Sequence, residues 1–186
     1  MTWPNQIRPR APRIGDLSTA FRRDRTPEPA SPPSRVLLIF ILPAWIANGT
    51  PVIFGGGKPL DMGTNILGKH KTWRGTVSGL FGGFIIAALE YVFFSQPLAL
   101  GFALATGAIA GDLIGSFAKR RSRIKEGASV PILDQYTFFI FAVLFSLPFG
   151  GLPNYFGIIV ILVLTGVLHV GTNMLAHRAK IKSVPW

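Results

Sequence analysis

The sequence is 186 residues long; 49% of these residues are hydrophobic and only 15% are charged. This balance excludes a typical soluble globular domain and favours an integral membrane protein. Cysteine is absent, which excludes disulfides, thiolate nucleophiles and cysteine-ligated zinc, so a metal would need oxygen or histidine ligands.

The formal net charge is +11, and it is unevenly distributed. Basic proteins often bind nucleic acid, because Lys and Arg displace counterions from phosphates. Here the 19 basic residues fall into four clusters: seven in 1–35, four in 58–74, five in 119–125 and three in 178–182. The stretches between the clusters are apolar and almost uncharged, as in membrane proteins. We therefore predict membrane lipids, and no nucleic acid, as partners.

Residues 1–34 are rich in Pro and Arg and show no sustained apolar period. Such a segment cannot bury enough apolar surface to offset its ordering entropy, so we predict a mostly disordered basic tail. It lacks the apolar core of a signal peptide. Residues 35–186 then form one transmembrane domain.

Five apolar segments follow the tail, at 36–54, 77–94, 98–118, 135–150 and 155–176. Most approach the roughly 20 residues that cross the hydrocarbon core as a helix. They predict an all-α integral membrane protein with five transmembrane helices. The fourth segment is short, and the second half of the first is predicted to leave helical geometry at Asn48 to Pro51, beside a polar cavity.

Five crossings place the loops 55–76 and 119–134 on the same side as the C-terminus. These regions carry twelve Lys and Arg residues, whereas the connections at 95–97 and 151–154 carry none. The positive-inside rule predicts that both charged loops are cytoplasmic, although the cluster of seven Arg in residues 1–35 then lies outside.

Asp112 is the clearest candidate for chemistry, because ionisable groups inside a membrane are costly. Helical periodicity places Asp112, Ser116 and Lys119 on one face. That face continues into Arg120 and Lys125, whereas the neighbouring Arg121 and Arg123 are predicted to face lipid headgroups or water.

Asp134 and Gln135 open the fourth segment, shortly after Pro131. An Asp at this place could serve only as a helix cap. However, the loop 55–75 repeats the combination of Gly, Lys, Arg and one carboxylate, Asp61. Gly-rich basic loops bind phosphate oxygens, and carboxylates hold a divalent cation that bridges those oxygens. The two loops therefore predict one shared phosphate site.

Other ionisable groups are weaker candidates. Glu90 is predicted to reach interfacial water near the outer end of the second segment. His169 and His177 are not spaced as a metal pair. The stretch from Lys71 to Gly75 lacks the glycine spacing of a Walker loop, and no strand precedes it.

The sequence resembles the CDP-archaeol synthase family, small membrane enzymes related to phosphatidate cytidylyltransferase. The resemblance covers residues 36 to about 176 and rests on an ordered set of motifs. These are Ala47-Asn48 with Pro51, Pro59-Leu60-Asp61, Gly68 with Lys71-Thr72-Trp73-Arg74-Gly75, Gly111-Asp112 with Ser116, Lys119-Arg120, and Lys125 with Gly127, Pro131 and Asp134-Gln135.

The resemblance implies a five-helix enzyme that condenses CTP with a lipid phosphate and releases pyrophosphate, with Mg²⁺ and a cytoplasmic active site. The lipid would be 2,3-bis-O-geranylgeranylglycerol 1-phosphate or a related phosphatidate-like lipid. One departure concerns the metal set: the phosphatidate enzymes place a second Asp three residues after the first, where this chain has Thr137 after Asp134.

With this family in view, the roles are assigned as follows. The catalytic residues are Asp112, Asp134, Lys119 and Lys125. The Mg²⁺ ligands are Asp112 and Asp134, with Asp61 as a third candidate. The substrate-binding residues are Asn48, Lys71, Thr72, Arg74, Gly75, Ser116, Arg120, Gly127, Pro131 and Gln135.

Three other classes of protein share some of these features. A CDP-alcohol phosphotransferase would need several Asp residues on neighbouring helical turns, and these are missing. A glycerol phosphate acyltransferase would share the Gly-rich phosphate loops. A non-enzymatic protein that binds anionic lipid would need the basic clusters but neither Asp112 nor Asp134. Ether-linked isoprenoid and fatty acyl chains both fit the apolar helices, and the residues predict no oligomeric state.

Overall fold

The computed structural model describes residues 34–124, 130–150 and 152–180. Within these residues the protein is helical and forms no strand, which confirms the predicted all-α class. The helices are α1 (Ser34–Phe54), α2 (Trp73–Phe94), α3 (Leu98–Arg121), α4 (Pro131–Ser146) and α5 (Tyr155–Arg178), with a short 3₁₀ helix at Leu147–Phe149. The predicted tail lies outside the described residues except for Ser34, which begins α1.

Four helices, α1, α2, α3 and α5, are long and apolar enough to cross a membrane. The fourth helix is shorter: its apolar part, continued through the 3₁₀ helix, is Tyr136–Phe149. At 1.5 Å per residue, the 16 residues of α4 span about 24 Å, less than a bilayer core of about 30 Å. The protein is a multi-pass membrane protein with one short helix.

α3 lies at the centre of the bundle and packs against α1, α2 and α4. Its inward faces carry small or aliphatic side chains, including Leu104, Ala105 and Ala108, which are fully buried. In a bilayer, helices associate through close van der Waals contact, and small residues allow that contact. The small residues of α3 therefore explain why three helices can pack around it.

Two glycines on α3 let α4 approach very closely. A Cβ at Gly111 would lie 2.5 Å from the Thr137 carbonyl oxygen, and one at Gly115 would lie 2.6 Å from Thr137 Oγ1. Because Asp112 and Ser116 follow these glycines directly, α4 is held against the part of α3 that carries the candidate site residues. The loop 55–72, the last turn of α3 and the first turn of α4 lie at one end of the bundle, which we call the charged end.

α1 remains helical to Phe54, with Pro43 and Pro51 inside it. The prediction that its second half leaves helical geometry is therefore wrong. Pro51 has no N–H for the Ala47 carbonyl, but α2 packs against that carbonyl: a Cβ at Gly79 would lie 2.6 Å from the Ala47 oxygen. The freed oxygen thus faces the backbone of a neighbouring helix, which is how proline is tolerated at membrane depth.

Glu90 is buried, with 2% of its surface exposed, so the prediction that it reaches interfacial water is wrong. The Gln96 amide donates to Glu90 Oε2 at 2.9 Å, which joins the end of α2 to the connection before α3. Among the residues that the structure describes, Glu90 Oε1 has no hydrogen-bond partner. An ionised carboxyl group in this position would lose its hydration, and the Gln96 amide returns one hydrogen bond.

Replacement of Glu90 tests this account. Glu90→Gln keeps an oxygen that accepts from Gln96 and removes the charge, so we expect unfolding in detergent at the same or a higher temperature. Glu90→Ala removes the bond and leaves Gln96 unpaired, which should cost about 1–3 kcal/mol. Tryptophan fluorescence during heating measures both. Equal destabilisation by the two variants would contradict the account, because it would mean that the negative charge itself is needed.

Candidate functional site

The loop between α1 and α2 folds as a small hairpin. The Leu60 N–H donates to the Lys71 carbonyl at 2.7 Å, and the Trp73 N–H donates to the Lys58 carbonyl at 3.2 Å. These two bonds pair the beginning of the loop with its end, in an antiparallel bridge between Pro59 and Thr72. The backbone of Lys71 is therefore fixed just before α2 begins.

Asp61 closes the tip of this hairpin. Its Oδ1 accepts from the Gly63 N–H at 3.2 Å, and its Oδ2 accepts from the Leu67 N–H at 2.9 Å. The Leu67 N–H, with further N–H groups of the loop, stabilises the charged form and lowers the pKa of Asp61 below its usual value. The structure thus gives both oxygens of this predicted metal ligand a place in organising the loop.

Thr72 fastens the hairpin to α2. Its hydroxyl oxygen caps the helix by accepting from the Gly75 N–H at 3.1 Å, and it also accepts from the Gly56 N–H at 3.3 Å. Gly56 has a φ of 106°, which a residue with a side chain rarely adopts. Thr72 and Gly75, both predicted to bind substrate, are buried. The contact with Gly56 was missed from the sequence, where the triple glycine at 55–57 is the signal that could have indicated it.

Lys71 and Asp112 form an ion pair, in which Lys71 Nζ donates to Asp112 Oδ2. The side chains are 26% and 31% exposed, so the pair is reached by solvent but is partly enclosed. Lys71 belongs to the hairpin and Asp112 to α3. The structure therefore brings a candidate residue of the loop 55–75 into contact with the clearest candidate on α3.

The remaining candidates on α3 follow the predicted helical face. Ser116 is buried one turn after Asp112, and Lys119 and Arg120 are half-buried in the last turn. Arg121 and Arg123 are exposed, as predicted. The face therefore changes along its length from a carboxylate to cations at the charged end.

Two further candidates border this end of the bundle. Arg74 is exposed at the start of α2, three residues after Lys71. Asn48 is half-buried on α1, within the helical stretch that was predicted to unwind.

The described part of α4 gives the position of its first turns. Pro131 begins the helix, and Asp134 and Gln135 follow within it. Thr137 lies one turn after Asp134 and packs on Gly111 and Gly115, so the backbone of Asp134 lies beside the end of α3. The side chains of Pro131, Asp134 and Gln135, and the whole of Lys125 and Gly127, lie outside the described residues.

The donors at the charged end decide how Mg²⁺ would be held there. Among the described residues no three His, Asp or Glu side chains form a metal-binding group. Mg²⁺ bound together with a nucleotide needs only one or two carboxylates, because substrate phosphates and water supply the other ligands. Asp112 is a partly exposed carboxylate in this position. The described residues therefore fit a metal held jointly with a phosphate substrate, and not a metal held by protein alone.

The charged end thus combines groups that suit a polyphosphate inside a membrane protein. The Lys71–Asp112 pair places a cation and a carboxylate there, and the last turn of α3 carries further cations at the same end. Cations neutralise phosphate oxygens, while a carboxylate recruits a divalent ion to the same place.

Comparisons with known proteins identify a family for this chain. The family model described as CarS-like, CDP-archaeol synthase, matches residues 35–186. The CDP-archaeol synthase of Methanococcus aeolicus is 42% identical over 168 residues, covering 80% of this chain and 94% of the relative. The enzyme of the same name from Pyrococcus furiosus is 42% identical, covering 79% and 95%.

A solved structure is similar as well. It is described as an intramembrane enzyme for archaeal membrane lipids biosynthesis, and it matches with a TM-score of 0.69 and 36% identity over 74% of this chain and 92% of that chain. The predicted resemblance is confirmed by the family match, by relatives of similar length and by this structure. This chain belongs to the CDP-archaeol synthase family.

Proposed function

We propose that this protein is a membrane cytidylyltransferase that condenses CTP with a lipid phosphate and releases pyrophosphate. The observation that carries the proposal is the Lys71–Asp112 pair, which places a cation and a carboxylate at one end of a membrane-spanning bundle. The relatives are named for the synthesis of CDP-archaeol. The acceptor proposed here is accordingly 2,3-bis-O-geranylgeranylglycerol 1-phosphate or a closely related lipid phosphate.

The reaction needs positioning more than acid–base chemistry. An oxygen of the lipid phosphate, already anionic, attacks the α-phosphorus of CTP. A new P–O bond forms, the bond from the α-phosphorus to the bridging oxygen breaks, and pyrophosphate leaves with the electron pair. The phosphate oxygens are bound by three cations, Lys71, Lys119 and Arg120, which hold the two reactants in line. Ser116 lies on the same face of α3 as Lys119. Such charge stabilisation is the main contribution that proteins make to phosphoryl-type transfers.

Asp112 and Asp134 are the residues proposed to hold Mg²⁺. When bound, the ion neutralises charge on the triphosphate and on the leaving pyrophosphate. Asp61 is less suited to this role, since both of its oxygens accept backbone N–H groups within the hairpin.

The charged end is proposed to face the cytoplasm. The connections at this end, with the C-terminal region, contain twelve basic residues, whereas the connections at the other end contain none. Basic residues in short loops remain on the cytoplasmic side of a membrane. This orientation also places the site where CTP is present.

The activity is tested with the purified full-length protein in detergent, incubated with CTP, Mg²⁺ and a panel of lipid phosphates. CTP-dependent pyrophosphate release and formation of a CDP-lipid are expected with an isoprenoid ether lipid phosphate. Release with acyl donors instead, or binding of anionic lipid without turnover, would contradict the proposal and favour the acyltransferase or lipid-binding alternatives.

Asp112→Asn tests the proposed metal and charge role. The variant keeps the size of the side chain but removes the charge opposite Lys71. Turnover should fall about a hundredfold or more, the scale of losing one charge-stabilising group. Arg121→Gln, an exposed change later in the same helix, is the matched control and should leave turnover unchanged. Near wild-type turnover in Asp112→Asn would contradict the proposed role of Asp112 in holding the metal.

Asp61→Asn separates a loop-organising role from a metal role. The amide can accept only one of the two backbone N–H groups, so the hairpin should loosen. Because the hairpin carries Lys71, KM for CTP should then rise several-fold. The Mg²⁺ concentration that gives half-maximal turnover should not change. Ile66→Ala, an exposed change in the same hairpin, is the control. A large increase in the Mg²⁺ requirement would instead identify Asp61 as a ligand.

A further inference from the structure

The inward face of α5 changes from apolar to polar along the helix. Ile161, Thr165 and Asn173 are buried, with 1%, 2% and 9% of their surfaces exposed. His169 is half-buried and completes a spacing of four residues, so these side chains share one face. The C-terminal half of an otherwise apolar helix therefore directs an imidazole and a carboxamide toward the interior of the bundle.

Thr165 is explained by packing. The Trp45 indole N–H donates to Thr165 Oγ1 at 3.0 Å, which fixes the register of α5 against α1. His169 and Asn173 lie beyond this bond, farther toward the C-terminus of α5. Polar groups that face inward in a membrane span either bond one helix to another or line a substrate path or a water-filled cavity.

The depth of these two residues follows from contacts between helices. Consecutive helices of the bundle are antiparallel, so α1, α3 and α5 run in the same direction. From the level of Trp45 and Thr165, His169 lies about 6 Å and Asn173 about 12 Å farther toward the charged end, at 1.5 Å per residue.

The depth of Asp112 in the bundle follows in the same way. Gly79 of α2 lies between Ala47 of α1 and Ile109 of α3, and Gly83 lies between Ala47 and Ala105. Ala47 is therefore level with the turn of α3 between Ala105 and Ile109. Asp112 then lies about 8–14 Å beyond the level of Trp45. His169 and Asn173 therefore reach approximately the depth of the Lys71–Asp112 pair.

The surroundings of α5 indicate which substrate it meets. Its other faces are exposed to the bilayer, with Val163 and Val167 58% and 63% exposed. The cationic hairpin and the end of α3, by contrast, are at the solvent-facing end, where a nucleotide arrives. An acceptor with hydrocarbon chains must enter from the bilayer, and in-line attack requires it to lie opposite the departing pyrophosphate.

We propose that His169 and Asn173 of α5 bind the phosphate of the acceptor lipid, forming the acceptor side of the site opposite the cationic groups that hold the triphosphate. This inference rests on the proposed function. An imidazole and a carboxamide both donate hydrogen bonds to phosphate oxygens.

The test uses the full-length enzyme in mixed micelles, with CTP and lipid phosphate varied independently. His169→Ala and Asn173→Ala should each raise KM for the lipid phosphate about tenfold or more, the effect of losing one hydrogen bond to a charged group. KM for CTP should remain that of the wild type. Thr172→Ala is the matched control, because Thr172 is exposed and its hydroxyl donates to backbone carbonyls of its own helix, those of Leu168 and His169.

Both residues also have an interaction within the fold, so two further measurements separate binding from stability. Direct binding of CTP with Mg²⁺ should be retained in both alanine variants, and His169→Gln, which keeps a donor, should recover part of the affinity for the lipid. Unchanged KM values, or equal increases for both substrates, would overturn the inference. A wild-type protein without CTP-dependent turnover on lipid phosphates would overturn the proposed function itself.

Discussion

The contact between Lys71 and Asp112 is the interaction on which the arrangement of the site depends. Asp112 lies on the central helix, which is apolar and long enough to cross a membrane, and an unpaired charge on such a helix is costly. Lys71 lies at the end of a long connection that has little apolar surface to anchor it. The ion pair satisfies the carboxylate and fastens the connection to the bundle. It also keeps a cation and an anion together at a place where either one alone would be poorly solvated.

This pair requires a rigid hairpin on one side and a closely packed helix on the other. Thr72 and Asp61 provide the first by accepting backbone N–H groups, so that most of the order in the loop comes from hydrogen bonds and not from a hydrophobic core. Gly111 and Gly115 provide the second, because only a bare backbone lets α4 lie so close to α3. Positioning groups for phosphoryl-type chemistry depends on such preorganisation.

The sequence was sufficient to predict those elements that depend on residues close to one another in the chain. Clusters of charge and long apolar runs predicted the helices, and helical periodicity predicted the face from Asp112 to Arg120. The predictions were wrong where the local structure depends on a residue in another helix or connection. Whether α1 unwinds at Pro51 depends on Gly79 in the next helix, and whether Glu90 reaches water depends on Gln96 beyond the end of α2. Thr72 could be recognised as part of a motif, but its contact with Gly56 exists only after the hairpin has folded.

The histidines of α5 show a related difficulty. His169 and His177 do not have the spacing of a metal pair. A search for metal pairs alone misses the spacing of four residues between Thr165, His169 and Asn173. A membrane enzyme that joins a water-soluble nucleotide to a lipid must meet its two substrates from different directions. Strong cations suit the wall that faces water, where hydration moderates their attraction for a triphosphate. Donors without a permanent charge suit the wall that faces lipid, because a permanently charged side chain there would be far more costly to desolvate than an imidazole or an amide. The proposed division of the site between α3 with its hairpin and α5 follows from this difference in solvent.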